Sequence, residues 1–450
     1  MRILHTADWH LGHRLYERDR TDEHRAALTW LLNTIVAEKV DVLVVAGDIF
    51  DMTNPSNQAR ELYYDFLGRL AKTDCLGGVI VGGNHDSPTM LDAPRDLLRS
   101  LNLFVVGTAR TQVQEEVFQI AGREPGDPGL IVAAVPYLRE RDIRKAKFGE
   151  TSQERLHDLQ AGIRNHYRLV GEAAAALRTD PETPIVATGH LFAGGASDHA
   201  EKKSYIYQAD EHNIEGGQFP KVFDYVALGH IHRAQIVGGQ EHIRYCGSLI
   251  PLTFVEGQQV RSVRLVDVGG AGEPVSSRPV NVPFFRKLLR LNDTLKVVTE
   301  SLRSEIVAYQ NSAPETTIAA AVRGESDTSS TKESPSFVYT VNELTPWAEI
   351  RVKTDVPIPN LNQALEEIVR EATDPGKRTP AVEFARRSQE RPATAPAAAP
   401  ENCPQLDELN PEDVFTGIIA KADYPPEIAE ELLADFRHLR NWMNEENADE

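Results

Sequence analysis

Val42-Leu43-Val44-Val45-Ala46-Gly47-Asp48-Ile49-Phe50-Asp51 is the stretch from which the rest of the chain can be read. Five apolar residues, three of them β-branched, run without a polar interruption and then stop at Gly-Asp. Such a run suits a strand buried on both faces, as in a sheet covered by helices. A carboxylate at the end of a buried strand is costly unless it is hydrogen-bonded or metal-bound, so Asp48 asks for a partner.

Working outward, the pattern recurs. Arg2–Ala7 leads into Asp8-Trp9-His10, Gly78–Val81 into Gly83-Asn84-His85-Asp86, Ile185–Thr188 into Gly189-His190, and Tyr225–Leu228 into Gly229-His230-Ile231-His232. Leu130–Pro136 is a sixth apolar run. Between these runs, Glu23–Glu38, Asn57–Leu70 and Gln153–Leu177 carry apolar residues at helical spacing. Strands alternating with helices predict a layered α/β domain over residues 1–280, with ligands bound outside the strand ends.

Each motif has a plain structural reading. Asp8 can be a turn carboxylate and His10 a surface histidine; Asn84-His85-Asp86 can be only a turn, because Asn and Asp favour turns. A single buried histidine is more often a satisfied core residue than a ligand. Five strand ends that each deliver Asp, Asn or His are harder to explain that way. On extended segments, Asp8 and His10, and likewise His230 and His232, would point to one side, with Ile231 turned into the core. Asp8, His10, Asp48, Asn84, His190, His230 and His232 are too many for one tetrahedral zinc site, and none is a thiolate. They suit two borderline divalent cations such as Mn²⁺, with Asp48 as the natural bridge. Two ions ~3.5–4 Å apart can clamp an in-line phosphoryl displacement and lower the pKa of water toward ~7. His85 is then a candidate acid and Asp86 a group to orient it.

Beyond residue 280 the texture changes. Phe284–Arg290, Asp293–Val307, Glu349–Thr354 and Leu361–Glu371 read as strand, helix, strand and helix of a smaller α/β unit, residues 281–386. A polar Ser/Thr-rich insertion, residues 312–336, interrupts it. Residues 387–404 contain Pro392-Ala393-Thr394-Ala395-Pro396-Ala397-Ala398-Ala399-Pro400, a Pro/Ala linker unable to pack a core. In residues 405–450, Val414, Phe415, Ile418 and Ile419, then Ile428, Leu432, Leu433, Phe436 and Leu439, mark two short amphipathic helices around Pro425-Pro426. Such helices either fold back on the main body or dock on a partner, and the preceding linker favours docking.

Composition sets wide bounds. The 450 residues are 41% hydrophobic and 26% charged, which is ordinary for a globular protein of two or three domains. No apolar run approaches the ~20 residues that cross a bilayer, and the N-terminus has no signal-peptide pattern. Cys75, Cys246 and Cys403 lack metal or disulfide spacing, which suits a reducing cytoplasm. The net charge of −19 argues against a nucleic-acid partner only at first sight. Residues 407–450 hold thirteen acids against Lys421, Arg437 and Arg440, a net of −10, which leaves −9 on the rest. Arg14, Arg18, Arg20 and Lys202-Lys203 are candidates for phosphate contacts, though charge alone carries no geometry and solvated surface charge is the commoner role.

The five motifs, in this order, resemble the calcineurin-like metallophosphoesterase superfamily. A narrower resemblance rests on Thr6–Gly12, Val186–Phe192, Phe223–His232, Tyr245–Phe254 and Leu409–Phe415. Over nearly the whole chain these are similar to the SbcD family, the nuclease subunits of bacterial SbcCD complexes. The resemblance implies a four-layer metallophosphoesterase β-sandwich flanked by helices, a smaller α/β capping domain and a C-terminal helical docking segment. It implies a Mn²⁺-dependent DNA exo- and endonuclease acting at ends and hairpins in repair and recombination. The partner would be an SbcC-like ABC-type coiled-coil ATPase, with the nuclease a homodimer within a heterotetramer on the nucleoid. Carried over to this chain, one ion would be held by Asp8, His10, Asp48 and His232, and the other by Asp48, Asn84, His190 and His230. His85 would protonate or stabilise the leaving oxygen. Asp51 stands where archaeal and eukaryotic relatives tend to carry histidine. A phosphoesterase of small nucleotides or phosphoproteins would use the same metals; the capping unit, linker and tail favour the nuclease. A non-catalytic scaffold would be expected to lose ligands, and all seven are present.

Overall fold

Alternate residues of the Val42–Ala46 strand serve two different cores. Leu43 and Val45 join the cluster formed with the Thr21–Ala37 and Asn57–Leu70 helices. Val42 and Val44 join a second cluster with Val186, Tyr225 and Ala227 from another sheet. This is the double burial that an uninterrupted apolar run requires. A one-residue slip would exchange the two faces of the strand, so register is strongly specified.

In the computed structural model, residues 1–145, 150–194, 214–318, 338–341 and 343–390 are described, followed by 412, 415, 416, 419, 430 and 432–438. The chain forms two compact units, Met1–Glu390 and Arg391–Glu450.

Two six-stranded sheets build the first part of the larger unit. The first has the order Ser276–Asn281, Ser262–Asp267, Arg2–Thr6, Val42–Ala46, Gly77–Val81, Leu103–Val106. The second has the order Gln235–Val237, Gln240–Tyr245, Tyr225–Gly229, Ile185–His190, Leu130–Ala133, Val117–Ile120. The strands that end in the five motifs are parallel within each sheet. The Ser152–Leu177 helix covers the outer face of the second sheet through Ile163, Tyr167, Val170 and Ala174. Helices, sheet, sheet, helices: three hydrophobic clusters fill the three interfaces of a four-layer sandwich. The edge strands escape a reading by apolar runs. Ser276–Asn281 carries Pro279 and is largely exposed, as an edge strand can be.

The capping part is a three-stranded parallel sheet, Arg286–Asp293, Leu344–Lys353 and Glu383–Glu390, with the second strand in the middle. Parallel neighbours need long crossovers, and the Leu295–Asn311 and Leu361–Ala372 helices supply them. Leu289, Ile350, Leu302, Ile306 and Leu365 form the core. The third strand corrects the expected boundary. Glu383–Glu390 continues through residue 386, so any linker starts after 390. Its polar, Arg-rich sequence hid it. The expected insertion is flanked by a paired Glu315–Ile318 and Val338–Val341, and residues 319–337 lie outside the described residues. The smaller unit has helical residues among those described. Phe415 stacks on Phe436 at 4.3 Å and Arg437 Nε meets Glu412 Oε1 at 2.6 Å. Most of the expected linker and docking segment lies outside the described residues.

No helix among the described residues is long and apolar enough to cross a membrane.

Candidate metal centre

Trp9 determines how the first motif turns. Its ring is fully buried edge-on against Phe66 at 5.0 Å, and its Nε1–H donates to Thr6 Oγ1 at 3.0 Å. The loop then follows the second motif through backbone bonds from Asp8 N to Gly47 O, His10 N to Asp48 O and Leu11 N to Ile49 O, all 2.9–3.0 Å. The segment is not extended, as alternation would have it. Asp8 and His10 have φ of 51° and 47°, Asp48 has 49° and His230 has 99°. Left-handed backbone in non-glycine residues costs of order 1 kcal/mol or more each and persists where the surroundings impose it. Four such residues in one cleft are a concentration of backbone strain of the kind that clusters at functional sites.

Glycines make the approach possible. A Cβ on Gly47, whose φ is +88°, would overlap the His190 imidazole, and one on Gly83 would overlap the Asp48 carboxylate.

All seven expected ligands meet in this cleft. Asp48 Oδ2 lies 3.5 Å from His10 Nε2 and 3.2 Å from His190 Nε2, so one carboxylate oxygen faces histidines of two separate motifs. Asn84 Oδ1 lies 3.0 Å from both His190 Nε2 and His230 Nδ1. The His10 and His232 rings stand 5.1 Å apart, and so do those of His190 and His230. Asp8 Oδ1 accepts the His230 backbone N–H at 2.9 Å. Ligand atoms of Asp8, His10 and His232 fall within 4.8 Å of one another, as do those of Asp48, His190 and His230. Groups bound to one ion at about 2.0–2.2 Å must stand about that close.

Asp8 Oδ2 and His10 Nε2 are buried without a hydrogen-bond partner among the described residues. Buried polar atoms are seldom left so, and a cation between them would satisfy both. The donors are oxygen and imidazole nitrogen with no thiolate, a set that fits divalent ions.

Burial and neighbouring charges shift the groups of the cleft in opposite directions. Burial opposes ionisation of Asp48, yet His190, His10 and His85 hold its carboxyl well below the usual range. Burial likewise opposes protonation of His190, but Asp48 beside it raises the ring to about 9. Burial, then the neighbouring His190, pushes His230 down to about 3, leaving the neutral imidazole that a metal ion binds.

The supporting residues differ from expectation. Asp86 does not orient His85. Its carboxylate is fully buried and accepts backbone N–H groups from Ile49 (3.1 Å), Phe50 (2.9 Å) and Gly83 (2.8 Å). Three donors converge there, so the side chain is committed to holding two loops together. His85 instead pairs its ring Nδ1 with Asp51 O at 2.8 Å, and its backbone N–H donates to Asp48 Oδ1 at 3.0 Å. Asp51 Oδ1 meets His10 Nδ1 at 3.1 Å, which leaves His10 Nε2 facing Asp48. Ile231 is buried in the outer core of the second sheet.

Of the cations considered for phosphate contacts, Arg20 is ruled out by burial. It forks onto Glu23 at 2.7 and 2.9 Å and donates to Pro251 O. Arg18 is tied to Glu383 and Phe384 O of the capping sheet. Arg14 is exposed, and Lys202-Lys203 lie outside the described residues. Sequence reasoning passed over Tyr137 and Arg139. The Tyr137 ring is 6.3 Å from that of His190, and Arg139 Nη2 donates to Asp86 O at 3.2 Å. Both follow the apolar run Leu130–Pro136, so the strand-end rule, applied once more, finds them.

Comparison with known proteins agrees with this geometry. The profile of the family described as Calcineurin-like phosphoesterase matches residues 1–234. The SbcD subunit of the nuclease SbcCD from Escherichia coli K12 is 42% identical over 303 residues, which cover 67% of this chain and 73% of that protein. The chain belongs to the calcineurin-like phosphoesterases and, within them, to the SbcD family. Its similarity to SbcD subunits extends to Rhodobacter capsulatus, at 35% over 299 residues covering 65% and 71%, and to Bacillus subtilis, at 32% over 273 residues covering 59% and 66%. Like the family at large, the chain is a metal-dependent phosphoesterase.

Proposed function

We propose that this protein is a two-metal DNA nuclease, hydrolysing phosphodiester bonds at DNA ends and hairpins within an SbcCD-type complex. The observation that carries the reading is Asp48 Oδ2, set between His10 Nε2 and His190 Nε2 at 3.5 and 3.2 Å, where one carboxylate can join two sites. Asp8, His10, Asp48 and His232 would hold one ion, and Asp48, Asn84, His190 and His230 the other. Imidazole, carboxylate and amide oxygen together suit borderline divalent ions such as Mn²⁺, the ion this reading assigns. Bound there, the two ions would supply Lewis acidity to the phosphoryl group and an activated water.

The chain's own residues do the remaining work. His85, anchored through Nδ1 on Asp51 O, would protonate or stabilise the leaving sugar oxygen with its other ring nitrogen. Asp51 and Asp86 hold His10 and the two loops in place. The partner would be an SbcC-like coiled-coil ATPase bound through residues 405–450, in a heterotetramer with two nuclease copies, acting on the nucleoid in the cytoplasm. The family relatives, named as subunits of a nuclease complex, support that reading. Free Cys75 and Cys246 suit a reducing compartment.

The test is cleavage of end-labelled duplex, hairpin and single-stranded DNA with and without Mn²⁺. Mn²⁺-dependent cutting of duplex ends and hairpins is expected. Turnover of nucleoside phosphates or phosphopeptides with intact DNA would favour the small-substrate phosphoesterase instead.

A further inference from the structure

Glu256 is a carboxylate only 5% exposed, and each of its contacts leads somewhere. Oε2 accepts the Leu252 N–H at 3.0 Å and Oε1 the Thr253 hydroxyl at 3.3 Å. The same Oε1 stands 3.6 Å from His232 Nδ1, just beyond hydrogen-bond distance. Arg261, 4% exposed, closes the group. Its Nη1 donates to His232 O and lies 3.6 Å from Glu256 Oε2, while Nη2 donates to Glu256 O at 3.0 Å. One buried ion pair therefore holds both the ring and the backbone of His232.

The far side of the same turn touches the capping sheet. A Cβ on Gly257 would sit 2.7 Å from Leu288 Cβ, and Gln258 Nε2 donates to Leu288 O at 3.1 Å. Phe254 packs with Leu288, Trp347 and Leu15. Leu288 and Trp347 are paired across the first two strands of that sheet. From Leu288 to His232 the path is one turn of chain.

We infer that Glu256 is a positioning residue for His232, and that the capping sheet seats it through the Gly257–Leu288 contact. The inference rests on His232 holding a divalent ion. A carboxylate 3.6 Å from Nδ1 favours the tautomer with its proton there and Nε2 left for the ion, and loss of a carboxylate partner to a ligating histidine typically weakens metal binding ten- to hundredfold. Displacement of the capping sheet, by a partner or by DNA, would then be felt at one metal position.

The full chain is titrated with Mn²⁺ by calorimetry, as wild type, His232→Ala, Glu256→Gln and Gly257→Ala. His232→Ala should lose one of two equivalents. Glu256→Gln should keep two but bind one of them roughly ten- to hundredfold more weakly, with DNA cleavage restored by raising Mn²⁺. Gly257→Ala, which must push Leu288 away, should weaken the same equivalent. Should Glu256→Gln fail to fold, Glu256→Asp carries the same expectation. Wild-type affinity in Glu256→Gln beside a defective His232→Ala overturns the inference alone. Normal affinity in Gly257→Ala overturns the part given to the capping sheet. Two full equivalents in His232→Ala overturn the assignment of His232 as a ligand, and this inference with it.

Discussion

The Asp86 carboxylate accepts the Phe50 backbone N–H at 2.9 Å, and through that bond the loop after one buried strand is fastened to the loop after its neighbour. Ile49 and Gly83 donate to the same carboxylate. Asp48 sits between these anchored points, and its Oδ1 accepts the His85 N–H. The central oxygen ligand of the proposed centre is therefore held by backbone, with no long side chain to reorganise.

Asp86→Ala would leave three buried N–H groups without an acceptor. Each typically costs about 1–3 kcal/mol, so a loss of several kcal/mol is expected, read as a lower midpoint in chemical denaturation. Two-equivalent Mn²⁺ binding should weaken in parallel. A midpoint within experimental scatter of wild type would show that the clamp is dispensable.

His85→Ala removes a side chain that touches Asp51 O but takes no part in the proposed ligand sets. Both Mn²⁺ equivalents should remain, while turnover on duplex DNA falls by about 10²–10⁴, the usual contribution of a positioned acid. Unchanged turnover would remove His85 from that role.

His230→Ala and His232→Ala address opposite halves of the centre. Each should bring bound metal below two equivalents, measured by elemental analysis after gel filtration. If both variants keep the full complement, the assignment of ligands is wrong.

A chain truncated before Gln405 should lose co-purification with a coiled-coil ATPase and keep Mn²⁺-dependent cleavage. The larger unit, Met1–Glu390, holds every residue of the proposed centre, which is why cleavage is expected to survive. Persistent association with the ATPase would put the docking surface elsewhere.

Much of this was legible from residues alone because each buried strand announces itself twice, by its apolar run and by the polar group that ends it. Val42–Ala46 with Asp48, and Tyr225–Gly229 with His230, are found that way. Strands with one wet face or an exposed edge lack the first signal. Ser276–Asn281 and Glu383–Glu390 were invisible for that reason, and the boundary at 386 was misplaced by four residues with them. Supporting groups were misread where a short-range guess competed with a distant partner. Asp86 is next to His85 in sequence, yet its bonds go to Ile49 and Phe50, 37 and 36 positions away. Arg20 looked available until Glu23 and Pro251 closed over it.

By itself, the order of residues determined that buried parallel strands would end in carboxylates, an amide and imidazoles, because hydrophobic burial and side-chain chemistry are local properties. Only the folded chain decided which of them face each other. Those choices include Asp48 between His10 and His190, the left-handed turns at Asp8 and His10, and Glu256 behind His232. Contacts between residues far apart in sequence depend on how two sheets and a capping sheet pack, and packing is a property of the whole core.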